Sequence, residues 1–156
     1  MRVLVVYYSR TGMTKKVALA LAEKVGVDAE EIIDLKNRQG ALGWIIAGKD
    51  AGQKNLTEIK SVQNNPADYD LVIVGTPVWV GTMTPAIRTY LTHYKDKIKR
   101  LACFSTQGGA ARQKVFADIE ALTGKKIEQE LYLTTKEAAQ DKFHVKLEEF
   151  VGKLHK

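Results

Sequence analysis

Short apolar runs alternate with segments of helical periodicity along most of the chain. The run Val3–Tyr7 is continuous and rich in β-branched residues, as expected for a strand that is covered on both faces. Between residues 13 and 25 apolar side chains return at every third or fourth position, which predicts a helix with one buried stripe that ends at Gly26. A weaker strand pattern follows at residues 31–35.

The alternation continues through the second half of the chain. Further strands are predicted at residues 71–74, 101–104 and 127–133. A helix is predicted after each of these strands. The first begins at Pro85, and the second carries Val115, Ile119 and Leu122 and ends at Gly124. The third carries a stripe of large apolar residues: Phe143, Leu147, Phe150, Val151 and Leu154. Because the connections are too long for hairpins and the strands too apolar for a one-sided sheet, we expect parallel strands joined by right-handed crossovers. The pattern therefore predicts a doubly wound α/β fold with a five-stranded parallel sheet.

One segment, residues 36–65, does not follow the alternation. It holds a short helical pattern around Leu42, Ile45 and Ile46, and the rest predicts an irregular excursion between the second and third strands. Trp44 is interpreted as the anchor of a small satellite cluster in this excursion rather than as a ligand contact.

Length and cysteine content favour an ordinary globular protein. The 156 residues fit a single domain, residues 1–156, that needs no disulfides. The one cysteine, Cys103, lies in an apolar run and is interpreted as a small buried hydrophobe in a reducing compartment. The N-terminus does not resemble a signal peptide, and no apolar run approaches the roughly 18 residues of a membrane-spanning helix, so we expect a cytoplasmic protein.

The net charge of +6 raises the question of an acidic or nucleic-acid partner. The lysines are scattered, mostly beside acids, and the densest basic run, residues 95–100, has no interleaved aromatic residues on which bases could stack. A solvated surface is therefore favoured over a nucleic-acid site.

Candidate chemistry is concentrated after the first, third and fourth strands. In open α/β sheets ligands bind outside the carboxyl ends of the strands, where the strand order reverses. The segments at these ends read Ser9-Arg10-Thr11-Gly12-Met13-Thr14, then a loop at residues 75–85, then Ser105-Thr106-Gln107-Gly108-Gly109.

The first of these loops suits a phosphate group. It carries the hydroxyls of Ser9, Thr11 and Thr14 immediately before a helix, whose free amides and dipole attract an anion. A simple helix cap needs one hydroxyl, so three favour phosphate binding.

Several other sites known on similar scaffolds are excluded by the sequence. It contains no GxxxxGK[ST], GxGxxG or GxSxG motif, and no cysteine opens the first loop. A receiver domain would need acids where this chain has Tyr7-Tyr8-Ser9 and Gly75-Thr76. A phosphate loop beside an aromatic loop and a glycine-rich loop indicates a ligand with a phosphate tail and a flat ring.

The segments YYSRTGMTKKVA, GTPVWVGTMTPAIRTYL and FSTQGG together resemble the flavodoxin family, and more closely its short flavodoxin-like branch, over essentially the whole chain. The resemblance implies the strand order 2-1-3-4-5 and FMN as the cofactor. The implied FMN contacts are Ser9, Arg10, Thr11, Gly12, Met13 and Thr14 in a phosphate loop, Thr76, Pro77, Val78, Trp79, Val80 and Gly81 in a first ring-contacting loop, and Ser105, Thr106, Gln107, Gly108 and Gly109 in a second.

Three positions carry specific expectations from this resemblance. Trp79 would cover one face of the isoalloxazine, and a core position for it is less favoured because Val80-Gly81-Thr82 cannot continue a strand. Gly81 would let a peptide reorient toward N5 of the reduced flavin, as a comparable loop does in flavodoxins. Met13 stands where the family usually has Asn, so phosphate hydrogen bonding should be weaker there, partly offset if Arg10 turns inward.

The second ring-contacting loop leaves alternatives open. Gly108 and Gly109 would let backbone amides approach the ring, or they open the next helix. Gln107 would bond the polar edge of the ring, or it faces water.

Neither a catalytic residue nor a metal ligand is expected, since flavin supplies the redox chemistry. His93, His144 and His155 are predicted on or near helix surfaces away from the three loops.

Three functions remain open: an electron carrier between a reductase and a redox partner protein, a small FMN-dependent NAD(P)H/quinone-type oxidoreductase acting on a small quinone-like acceptor, and an FMN-free scaffold that binds protein. Flavodoxins are typically acidic, and the basic charge of this chain weighs against the first. An exposed Trp44 would favour a dimer.

Overall fold

A sheet of parallel strands lies at the centre of the computed structural model, which describes residues 1–109 and 114–154. In chain order the strands are β1 (Val3–Tyr7), β2 (Ala29–Glu31), β3 (Leu71–Trp79), β4 (Thr82–Met83), β5 (Leu101–Gln107) and β6 (Ile127–Thr134). The parallel strands lie in the order β2-β1-β3-β5-β6, and β4 pairs with β3 in the antiparallel direction. The predicted α/β fold and the order 2-1-3-4-5 are confirmed. Because β4 was not predicted, the fourth and fifth predicted strands are numbered β5 and β6 here.

Helices cover both faces of the sheet. They are α1 (Met13–Val25), α2 (Gly40–Gly52), α3 (Pro85–Tyr94), α4 (Val115–Thr123), α5 (Thr135–Ala139) and α6 (His144–Leu154). Alternate residues of β1 point to opposite faces: Val3 and Val5 pack in one core cluster with α1 and α6, whereas Leu4 and Val6 pack in another with α3 and α4. Within the described ranges, none of the helices combines the length and apolarity that crossing a bilayer requires.

The predicted helix boundaries at Gly26 and Pro85 are confirmed. Gly26 has φ 77°, and its N–H donates to the carbonyl of Ala22 at 2.8 Å, which ends α1. At the start of α3 the hydroxyl of Thr84 accepts from the N–H of Ile87, and Pro85 occupies the first turn.

The second strand is shorter and earlier than the one predicted at residues 31–35. β2 ends at Glu31, and beyond it the chain forms an antiparallel bridge between Asp34 and Ile59 instead of following β1. The apolar side chain of Leu35 is 59% exposed, so its place in the apolar pattern did not reflect burial in the sheet.

The loop predicted at residues 75–85 is instead largely a β-hairpin. β3 continues to Trp79, because it pairs with β5 well beyond residue 74. Val80 and Gly81 form a two-residue turn with φ values of 52° and 76°, and β4 then returns beside β3. The prediction that Val80-Gly81-Thr82 cannot continue the strand is confirmed, since β3 ends at Trp79. Thr82 instead begins β4, a new strand that was not predicted.

Helix α2 is longer than predicted and buries its small residues. Gly43, Ala47 and Ala51 are buried together with Asp50, whereas Trp44 is 66% exposed. A Cβ atom on Gly43 would lie 2.3 Å from the backbone carbon of Arg38, so this face packs too closely for a large side chain. The interpretation of Trp44 as the anchor of a satellite cluster is therefore wrong.

Gly75 in β3 also marks a close approach. A Cβ atom at this position would lie 2.1 Å from Cζ of Phe104 in β5, and the ring of Phe104 is fully buried. The aromatic ring therefore occupies the space that a side chain of residue 75 would need.

Gly75→Ala should lower the free energy of unfolding by about 1–3 kcal/mol, because Phe104 must shift to admit the methyl group. Urea denaturation measures the change, and adding Phe104→Leu should recover part of the loss. Gly152→Ala is the matched control, since a Cβ on that exposed position of α6 meets no atom within 4 Å. Equal stabilities of Gly75→Ala and Gly152→Ala would contradict the packing argument.

Candidate functional site

The carboxyl ends of β1, β3 and β5 are adjacent, because β3 lies between the other two strands in the sheet. We call the three segments at these ends, residues 9–14, 76–81 and 105–109, the three-loop edge. A hydrogen bond of 2.8 Å between the hydroxyls of Thr14 and Thr106 joins the first segment to the third. The predicted site residues are thus brought to one edge of the sheet.

The first segment forms an open helix N-terminus. Gly12 precedes α1 with φ 93°, a left-handed conformation that favours glycine, and its N–H donates to the hydroxyl of Ser9 at 3.1 Å. Among the described side chains none caps the first turn of α1, and this turn contains no acid. An anion is therefore the natural partner for the amides of this turn.

The other members of the first segment point in different directions. Thr11 is exposed, whereas Thr14 is buried. Met13 is half-buried and packs against the core cluster on the α1 face, so its side chain does not compete for an anion. Arg10 does not turn inward as considered from the sequence: its guanidinium donates to the carbonyl of Arg38 at 2.9 Å and to that of Gly40 at 3.3 Å.

The hairpin is fixed at its base by Thr76. The buried hydroxyl of Thr76 donates to the carbonyl of Pro77 at 2.8 Å and accepts from the N–H of Thr84 at 3.3 Å. Two residues after Thr76, Val78 pairs with Met83 of β4, and this pairing joins the two strands of the hairpin.

The tip of the hairpin is strained and rests on α2. A positive φ is unusual for the β-branched Val80 and costs about 1–3 kcal/mol. The side chain of Val80 lies over Gly48 and Gly52 of α2, where added Cβ atoms would stand 3.8 Å and 3.5 Å from its methyl groups. Both distances correspond to ordinary van der Waals contact, so the tip of the hairpin packs directly on this face of α2.

Trp79 is held by contacts with two neighbouring side chains. The ring of Tyr8 meets the indole edge-on, with ring centroids 5.5 Å apart and an interplanar angle of 88°. The Cζ atom of Arg38 lies over the indole at 5.9 Å from its centroid, a cation–π geometry. Trp79 remains half-buried, so part of its surface can still contact a ligand.

Arg38 belongs to a buried ionic network that was not predicted from the sequence. Its side chain is 2% exposed and donates to the carboxylates of Asp34 at 2.6 Å and Asp50 at 2.9 Å. Asp50 also accepts from Lys36 at 2.8 Å and from Asn55 at 3.1 Å. The network joins the chain before α2 to the end of α2 and thereby holds this helix beside the hairpin.

The network shifts the pKa values of Asp50 and Arg38. Burial alone would raise the pKa of Asp50, but hydrogen bonds from Lys36, Asn55 and Arg38 lower it to about 2. Burial alone would lower the pKa of Arg38, yet hydrogen bonds to Asp34 and Asp50 leave it raised. Asp50 and Arg38 are therefore both charged at neutral pH.

The third segment combines buried and exposed residues. Ser105, Thr106 and Gln107 are buried, and the Gln107 amide donates to the carbonyl of Gly109 at 3.1 Å, so this side chain does not face water. Gly108 and Gly109 are exposed, and Cβ atoms placed there would meet nothing within 4 Å. The alternative role considered for these glycines is to open the next helix. Residues 110–113, which follow them in the chain, lie outside the described ranges, so this alternative stays a prediction.

The remaining titratable residues considered from the sequence lie away from this edge. His93 and His144 are exposed on α3 and α6, whereas His155 lies outside the described residues. Cys103 is fully buried, and burial raises the pKa of its thiol well above the ordinary value.

Comparison with known proteins agrees with this geometry. A family profile described as Flavodoxin matches residues 2–149. A flavoprotein from Lactobacillus acidophilus, solved in complex with FMN, is 26% identical with a TM-score of 0.72, covering 90% of this chain and 97% of that one. A Bacteroides eggerthii protein is 25% identical with a TM-score of 0.74, covering 92% and 96%. An NADH:FMN oxidoreductase, 14% identical with a TM-score of 0.58 and covering 99% and 90%, shares the fold alone.

Asp50→Asn should destabilise the protein by about 3 kcal/mol at pH 7, because Arg38 and Lys36 lose a charged partner. The folded pKa of Asp50, about 2, lies below its ordinary 3.8. The carboxylate therefore stabilises the fold above pH 3.8, and this contribution is lost as the pH falls toward 2. Urea denaturation at pH 7, 4 and 2.5 should show the difference between wild type and variant shrinking with acid.

Asp96→Asn is the control for this prediction, since Asp96 is exposed in the short turn after α3. Its stability should follow wild type throughout this pH range. A difference between wild type and Asp50→Asn that stays constant from pH 7 to 2.5 would contradict the assigned ion pairs.

Proposed function

Because the chain belongs to the flavodoxin family, we propose that its three-loop edge binds FMN and that the protein carries electrons between a reductase and an acceptor. FMN as the cofactor is supported by the family and by the Lactobacillus acidophilus flavoprotein that was solved with FMN. The observation that carries the proposal is the acid-free, uncapped start of α1 at the same sheet edge as the half-buried Trp79.

The start of α1 would hold the phosphate. Its first-turn amides and the exposed hydroxyl of Thr11 can donate hydrogen bonds, and Gly12 gives the loop its left-handed turn. The hypothesis of an FMN-free scaffold rested on Met13, which stands where the family usually has Asn. Because the side chain of Met13 packs against the core, this residue no longer favours that hypothesis.

Trp79 would pack against the flavin ring. Arg38 covers one face of the indole, which leaves the other face for a stacked ring. Bound FMN would supply electron transfer in one-electron or two-electron steps, while this chain would bind, orient and partly desolvate it. We retain Gly81 as the residue whose peptide would reorient with the redox state.

A reductase acting on a small acceptor is the second candidate function. It is favoured by an apolar cavity of about 350 Å³ beside Trp79, between α2 and the hairpin. The net charge of +6 favours an acidic protein partner if the carrier function is correct. The free, buried Cys103 fits a reducing compartment, and we infer a cytoplasmic location.

FMN should bind to the purified protein at micromolar concentration or below, and riboflavin about ten-fold to a hundred-fold more weakly, because riboflavin lacks the phosphate. Flavin fluorescence and absorbance titrations measure both constants. An absence of visible flavin bands and of binding at micromolar FMN would eliminate both redox functions.

Trp79→Ala should weaken FMN binding by about 1–3 kcal/mol and shift the flavin potential, because the ring loses its aromatic neighbour. Trp79→Phe retains an aromatic face and should lose less. Leu42→Ala, at an exposed position of α2, should bind FMN like wild type. An unchanged dissociation constant for Trp79→Ala would refute the contact.

Reductive titration of the FMN-loaded protein, followed by assays with NAD(P)H and a benzoquinone, distinguishes the two candidate functions. Two separated one-electron steps without quinone turnover are expected for the carrier. Direct two-electron turnover would instead identify the reductase.

A further inference from the structure

An apolar cavity of about 350 Å³ is lined by residues of α2 and of the β-hairpin. Its walls include Trp44, Ile45 and Lys49 of α2 and Val78, Trp79 and Val80 of the hairpin. No residue from segments 9–14 or 105–109 lines it, so it is distinct from the phosphate loop and shares only hairpin residues with the three-loop edge. Both tryptophans of the chain lie in its walls.

We propose that this cavity binds a planar, apolar aromatic molecule of the quinone class, next to Trp79. This inference rests on the second candidate function, a reductase of a small quinone-like acceptor, which it deepens by assigning the place where that acceptor docks.

The size and chemistry of the walls select this class. Small-molecule sites usually measure about 300–1,000 Å³, so a cavity near the lower limit suits a molecule of one or two rings. The exposed indole of Trp44 offers a flat face for stacking, and the aliphatic walls suit an uncharged ring. Lys49 supplies the cationic donor, which suits a carbonyl oxygen and disfavours a cationic ligand.

The walls are also held in place before any ligand arrives. The buried Arg38 network anchors both ends of α2, and Arg38 covers one face of Trp79. The strained turn at Val80 rests on the two glycines of α2. Backbone strain of this kind persists where surrounding contacts determine the conformation, as in ligand clamps.

The exposure of large apolar groups gives such a ligand its driving force. Trp44 is 66% exposed, Ile45 60% and Val80 65%, although all three border the same cavity. A bound ring would remove part of this surface from water.

Tryptophan fluorescence tests the inference with 1,4-naphthoquinone as the probe. Trp79→Phe leaves Trp44 as the one reporter, and its emission should be quenched saturably, beyond the linear quenching of free N-acetyltryptophanamide. In the wild-type background, Ile45→Asn should raise the half-saturating concentration about ten-fold, because it places an amide in the apolar wall. Leu42→Ala, 71% exposed on the same helix and outside the cavity walls, should leave it unchanged.

The titrations are run on protein without FMN and on protein loaded with FMN, with FMN affinity measured separately for each variant. Linear quenching, or equal half-saturation for Ile45→Asn and Leu42→Ala, would overturn the inference. Displacement of the naphthoquinone by FMN would also overturn it, because the cavity would then belong to the flavin slot. Saturable quenching that Ile45→Asn weakens supports it, and does so even if FMN fails to bind, an outcome that would reject only the proposed function.

Discussion

A buried arginine organises the region around the candidate site. Removing a guanidinium from water is costly, and Arg38 tolerates burial because Asp34 and Asp50 each accept a hydrogen bond from it. The same residue lies over the indole of Trp79, and its carbonyl accepts from Arg10 of the first loop. One residue thus contacts α2, the hairpin and the first loop, through its side chain and its backbone carbonyl. Loss of its partners would disturb three elements that are far apart in the chain.

Helix α2 shows the consequence of this close anchoring. The network draws the helix so near to the preceding backbone that small residues alone fit between them, as Gly43 illustrates. The large apolar residues are therefore displaced to the outer face, where Trp44 and Ile45 border the cavity. Exposed apolar surface of this kind is unfavourable in isolation, and groups of such residues often mark binding sites.

The sequence predicted those parts of the fold in which periodicity reflects burial. The runs of β1, β3, β5 and β6 and the stripe of α1 are governed by covered sheet faces. The hydroxyls before α1 led to the prediction of a phosphate loop, which stays a prediction. Four features were missed for physical reasons. Val80 adopts a positive φ that local preference disfavours, so the hairpin left no turn motif. The buried residues of α2 are small, so the sequence of this helix shows no clear stripe of large apolar residues on its buried face. The Arg38 network and the Thr14–Thr106 bond depend on pairings that tertiary structure alone creates.

The bond between Thr14 and Thr106 joins two loops through hydroxyls alone, at 2.8 Å, and either oxygen can act as the donor. Rotation of the two O–H bonds can therefore reverse the direction of this hydrogen bond while every heavy atom stays in place. A phosphate monoester has its second pKa near 6 and exchanges a proton close to neutral pH. A rotatable hydroxyl pair at the edge proposed to hold the FMN phosphate would allow the polarity of this edge to adapt to either protonation state without any rearrangement of the backbone.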